Sequence, residues 1–236
     1  LTHASVLQIR TAIYDNDVER IAKSLADDPR LANSAFVTDR GVSRPLHIAA
    51  HCPAIEILLS AGAAQNDLTS RGDTPLTLRL RYGDVEPVKL LLERGCDPNL
   101  GFGYHMPSSV MRELIPVLIE HGWNLQNAPF LHDANHGHGN RIVTWLEFGV
   151  DPNTTDSDGK TALHFFAARG TGESAIRALV EAGANLNAAD NQGLTPIMLA
   201  RQASKRVAES TLESLGEGWA KVERSEMQRN AVVDSD

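Results

Sequence analysis

The stretch from Gly159 to Ala189 constrains this chain most. It reads Gly-Lys-Thr-Ala-Leu-His-Phe-Phe-Ala-Ala, breaks at Arg169 to Gly172, resumes with an apolar run containing Ile176, Leu179 and Val180, and ends in Ala-Gly-Ala-Asn-Leu-Asn. That order predicts a turn, a short helix, a loop, a second helix and a glycine stop. Neither helix can bury its apolar face alone, so the unit has to stack on copies of itself.

Copies are present. Arg-Gly-Asp-Thr-Pro-Leu at 71–76 leads to a second apolar run that stops at Gly95 and ends at Asn99. Ser-Arg-Pro-Leu-His-Ile-Ala-Ala at 43–50 leads to Gly62 and Ala63, and Gln-Gly-Leu-Thr-Pro-Ile-Met-Leu-Ala at 192–200 opens one more. The stop glycines fall at 62, 95, 122, 149 and 183, spacings of 33, 27, 27 and 34 residues. A period near 33 with a Thr-Pro-Leu-His-x-Ala start resembles the ankyrin repeat family over about residues 35–203. The resemblance implies an all-α solenoid of helix-turn-helix pairs with β-hairpin fingers. About five central repeats lie over 35–215, between a degenerate helical cap at 1–34 and a polar tail at 216–236 anchored only by Trp219.

The formal charge of −8, with no basic stripe, argues against nucleic acid as a partner. Two cysteines, Cys52 and Cys96, exclude a disulfide framework or a cysteine-rich zinc site and read as free thiols in a reducing compartment. No apolar run reaches the roughly 18 residues of a membrane span. Leu1 to Arg10 lacks a signal pattern, and the missing initiator Met suggests a fragment. These readings predict an intracellular monomer of cytoplasm or nucleus.

The departures from the repeat carry the functional argument. In the unit at 38–66, Arg44 replaces the Thr before Pro45, and the inter-helix loop is cut to His51-Cys52-Pro53. His47 is expected to be structural, pinning turn to helix. In the next repeat Arg79 and Leu80 replace a small Ala pair, and an arginine there needs room and a partner. The unit at 100–124 has only 14 residues between Pro107 and Gly122, against 19 between Pro75 and Gly95. Its first helix is either one turn long or merged with the second. The unit at 126–153 holds His132, Asp133, His136 and His138. Repeat spacing spreads these histidines over a helix and a loop rather than one face, so no metal site is assigned. Asp133 occupies the Ala slot that Arg79 fills two repeats earlier.

The resemblance implies a concave surface built from finger tips and first helices, whose exposed positions are Arg71, Asp73, Arg81 and Tyr82; Phe102, Tyr104 and His105; Asn127, Asn135 and His136; and Asp158, Lys160 and Arg169. Aromatic and arginine side chains on a rigid face suit a protein partner. A second reading is a small-molecule pocket or enzyme site at the shortened middle repeat. There Arg79 and Asp133 either meet as a buried ion pair or line a polar cavity with Tyr82, Tyr104, His105, Arg112, His132 and His136. No nucleophile, phosphate-loop or cofactor motif appears, so no catalytic residue or cofactor is assigned; Gly101 and Gly103 lack the strand, helix and third glycine of a dinucleotide site. Asn66, Asn99, Asn153 and Asn187 end their repeats in a slot expected to stabilise the following hairpin.

Overall fold

The computed structural model describes residues 1–38, 41–101 and 106–216. Phe102, Tyr104, His105 and most of the tail, including Trp219, lie outside them. The described residues form two compact units that divide after Ala128.

In the first unit, α1 (His3–Tyr14) pairs with α2 (Val18–Asp27), α3 (Pro45–Ile48) with α4 (Cys52–Ser60), and α5 (Pro75–Tyr82) with α6 (Val85–Glu93). Asp17 begins α2 as an N-cap, accepting from the Arg20 N–H at 3.0 Å, and Asp28 does the same for the 3-10 turn Pro29–Asn33. First helices stack on first helices and second on second, which buries Ile9 and Ile13 of α1, Ile21 and Leu25 of α2, and Ile55 and Leu58 of α4. The unit at 100–124 contributes one continuous helix among the described residues, α7 (Ser108–Glu120). Met111, Leu114, Ile115 and Leu118 are buried along one helical stripe, so the predicted pair has merged.

The second unit repeats the plan with α8 (Phe130–Asn135) and α9 (Gly139–Glu147), then α10 (Ala162–Arg169) and α11 (Glu173–Glu181), then α12 (Pro196–Gln202) and a helix over 206–216. Each second helix with a stop glycine closes the same way. At 179–184, Ala184 N–H donates to Leu179 O across Gly183, whose φ of +93° only glycine adopts without strain.

One finger contains strands, β1 (Phe36–Thr38) and β2 (Gly41–Ser43), antiparallel with Phe36 opposite Ser43. The fingers at 69–73, 156–160 and 190–194 close as tight turns. In the last two, Asp156 and Asp190 each take two backbone N–H groups on Oδ1. His47 and His164 pin first helices to fingers as expected. The Nδ1 of His164 accepts from Thr161 N–H at 3.0 Å, and its Nε2 meets Leu194 O at 3.1 Å; His47 spans Arg44 and Asp67 likewise. Burial lowers the His47 pKa, which keeps the ring neutral.

The repeat-ending asparagines are expected to stabilise a hairpin, and the bonds they make run instead to the end of the next second helix. Asn153 donates from Nδ2 to Gly183 O at 3.0 Å and accepts from Asn185 N–H at 2.7 Å. Asn99 makes the same pair with Gly122 and Asn124. Asn33, which the sequence reading did not place in this slot, makes it with Gly62 and Ala64. Asn66 takes the Asp97 N–H while Gln65 donates to Gly95 O. Asn153→Ala removes two hydrogen bonds at a wet edge and should cost about 1–2 kcal/mol in urea unfolding; a loss within 0.5 kcal/mol, about the scatter of neutral surface changes, would mean that water replaces the side chain fully.

Candidate functional site

The short repeat explains the odd arginine. With its loop cut, the chain leaves α3 after four residues and is extended at Ala49 and again at His51, and Cys52-Pro53 opens α4. The matching helix α5 runs for eight residues. The missing turn leaves room beside α5, and Arg79 enters it. Its side chain is 7% exposed, with Nη1 2.9 Å from Asp84 Oδ2. Nη2 makes a long 3.5 Å contact with the His47 carbonyl, in the last turn of the truncated helix. The guanidinium lies 5.2 Å from the Tyr82 ring centre, within cation–π range. The predicted need for room is met by the repeat before it, and the need for a partner by Asp84 of its own repeat together with the His47 carbonyl.

The same truncation opens a cleft of about 530 Å³. Tyr14, Ile48, Ala50, Leu78 and Tyr82 give it aromatic and aliphatic lining, while Thr38, Ser43, His47 and the Arg79–Asp84 pair add polar groups. Tyr14 and Tyr82 are 58% and 52% exposed. Of the side chains expected to share a polar cavity, this cleft holds Arg79 and Tyr82; Tyr104 and His105 lie outside the described residues.

Asp133 finds its partners inside its own helix pair. It is 1% exposed, and its Oδ2 accepts from Arg141 Nε and Trp145 Nε1, both at 2.8 Å, while Oδ1 lies 3.2 Å from His138 Nδ1. Arg79 and Asp133 thus each hold an ion-pair partner within their own unit. Arg112 is exposed on α7 rather than lining an inward cavity. Sequence reasoning missed Arg141 and Trp145; the available signal was an arginine beside the apolar stripe of α9.

The three histidines also depart from expectation: they do share a face. His132 and His136 are four apart on α8 and stack with ring centres 4.1 Å apart. The turn at Gly137 then brings His138 to 5.9 Å from His136. All three are exposed, and Arg169 reaches in from α10 to donate from Nη1 to Asn135 O at 2.6 Å. Asn135, His136 and Arg169 thus meet. No group of three or more metal-ligating side chains with suitable geometry occurs among the described residues.

Elsewhere, Asp73 is not a surface residue. It is 4% exposed, clamped by Arg81 at 2.6 Å, because the finger folds it under the helix start. Arg71 and Asn127 are exposed, and Lys160 lies 3.5 Å from Asp158 on an open finger. Both cysteines are free; burial pushes the Cys96 thiol up to about 12, which leaves it inert at neutral pH. No described helix is long and apolar enough to cross a membrane.

Against known proteins, the family description "Ankyrin repeats (3 copies)" matches residues 9–101 and 130–214, flanking the single-helix unit. Human ankyrin repeat and SOCS box protein 16 is 31% identical over 150 residues, 61% of this chain and 29% of that protein. Human transient receptor potential cation channel subfamily A member 1 is 26% identical over 169 residues, 64% of this chain and 15% of the channel. The chain thus spans less than a third of the length of these relatives. Among solved structures, the human ASB11 ankyrin repeat domain superposes with a TM-score of 0.67 at 23% identity, covering 88% of this chain and 96% of that domain. A chain from the Bdellovibrio bacteriovorus predatory endopeptidase Bd0816 in complex with immunity protein Bd3460 gives 0.57 at 23% identity, covering 73% and 98%. At such identities the likeness concerns the fold.

Proposed function

The chain belongs to the ankyrin repeat family, and from that premise we propose that it is a protein-interaction module that takes an anchor side chain of its partner into the cleft of the short repeat. One observation carries this reading: two half-exposed tyrosines and the ion pair of buried Arg79 with half-buried Asp84 line one concavity. Tyrosine supplies contact area at small conformational cost, and interface energy concentrates at such residues. Protein binding is the general role of ankyrin repeats, and one structural neighbour comes from a protein–protein complex. An intracellular, monomeric protein without nucleic-acid contacts fits the acidic surface and free thiols.

A Tyr14→Ala/Tyr82→Ala double variant tests the cleft. Capture of the partner set held by the unaltered protein should fall at least about tenfold, as expected of hot-spot residues, with little change in Tm. Equal capture by both proteins would remove the cleft from the interface. The cleft volume also lies in the range of small-ligand sites. A thermal shift produced by a metabolite fraction, lost in the same variant and without protein capture, would instead identify a small-molecule pocket.

A further inference from the structure

The stacked histidines of the second unit form a surface that the cleft does not use. His136 commits its Nδ1 to the His132 carbonyl at 2.8 Å, and His138 commits its Nδ1 to Asp133 at 3.2 Å. Both rings are exposed, so each still has its Nε2 edge to offer. Among the described residues, the charged groups facing the stack include three. From α8 there is Asp133, already held by Arg141 and Trp145; from α9 there is Arg141 itself; from α10 there is Arg169. With the histidines neutral the balance is one positive charge, and with all three protonated it is four, on a chain whose formal charge is −8.

We propose that His132, His136, His138 and Arg169 form a docking face for a short acidic peptide segment, and that this contact tightens as pH falls through the histidine range. Burial lowers the His132 pKa, and the His136 ring 4.1 Å away, with His138 and Arg141, adds repulsion against its charged form. Carboxylates laid across the stack relieve that repulsion, so binding and proton uptake are coupled and each strengthens the other. A short segment fits better than a polyanion such as nucleic acid, because the basic area is four side chains wide and the acidic remainder repels a long anionic chain.

The test uses the full chain and a fluorescein-labelled decapeptide of alternating glutamate and serine, in EDTA. Anisotropy should show Kd tightening about tenfold or more between pH 7.5 and 5.5, as titrating histidines permit. The chain's pI near 5.6 relaxes general repulsion over this window, so a His132→Asn/His136→Asn/His138→Asn variant supplies the reference; its Kd should change no more than about twofold, since the switch is gone. Imidazole NMR titrations of the unaltered protein should show the three ring pKa values rising when peptide is added. Equal tightening in the variant, no binding at either pH, or ring pKa values indifferent to peptide would overturn the proposal. Should the triple variant fail to fold, Arg169→Gln with the same NMR readout keeps it testable: weaker binding and smaller pKa rises support it, and unchanged ones refute it.

Discussion

Asp133→Ala should destabilise the second unit by about 3–5 kcal/mol, the penalty for leaving one member of a buried ion pair alone. The carboxylate is sealed from water and serves three donors at once. Alanine takes the Asp133 carboxylate away from the Arg141 guanidinium, whose side chain is only 10% exposed, and from the Trp145 indole N–H. Total stability of a domain is about 5–15 kcal/mol, so the loss is a large part of it. Asp133→Asn keeps the volume and one acceptor oxygen and should cost distinctly less. Urea unfolding followed by Trp145 fluorescence measures both. His138, Arg141 and Trp145 lie in the same unit as Asp133, so amide exchange in residues 1–101 should stay unchanged. A loss under 1 kcal/mol for alanine would show that water or rearrangement replaces the carboxylate, contrary to its burial.

The second large effect is at Arg79. Here volume should matter more than charge, because Asp84 is 30% exposed and can be solvated once abandoned. Arg79→Ala empties the space left by the truncated α3 and should cost about 2–4 kcal/mol, as large-to-small changes at buried sites do. Arg79→Met fills most of that space and should cost only about 1 kcal/mol. Amide protection across 45–48 and 75–82 should fall in step. If methionine proves as damaging as alanine, the ion pair and the reach to the His47 carbonyl hold the region, and packing does not.

These two sites mark where the sequence could and could not be read. The repeat frame was legible because it rests on local chemistry: a stop glycine at Gly183, a finger carboxylate at Asp190, a histidine such as His164 tied to neighbours a fixed distance along the chain. That Arg79 and Asp133 were out of place was legible for the same reason. Their partners were not. Arg79 turns to Asp84 because a helix three-dimensionally beside it, α3, is short. Asp133 turns to Arg141 and Trp145 because α9 folds back on α8. Both outcomes depend on tertiary packing that repeat alignment does not describe. The unit with the fewest residues predicts the cleft, yet among the described residues it meets its shortage with one helix, α7. The gap opened at 45–51, where both helices persist and one is cut. His138 does lie in the loop between α8 and α9, as repeat spacing predicts, but the turn at Gly137 returns its ring to the face of α8, which spacing alone does not show.

The asparagine bonds have a consequence for how such a chain tolerates change. Asn33 spans the repeat whose first helix is cut, and Asn99 spans the repeat reduced to one helix, with the same two bonds that Asn153 makes across a full-length repeat. The spacing between successive second-helix ends is therefore set along one edge, whatever length the first helices have. That edge works as a ruler. It lets residues be deleted from the opposite side without shifting the rest of that unit, so new concavities can arise by loss of sequence rather than by gain.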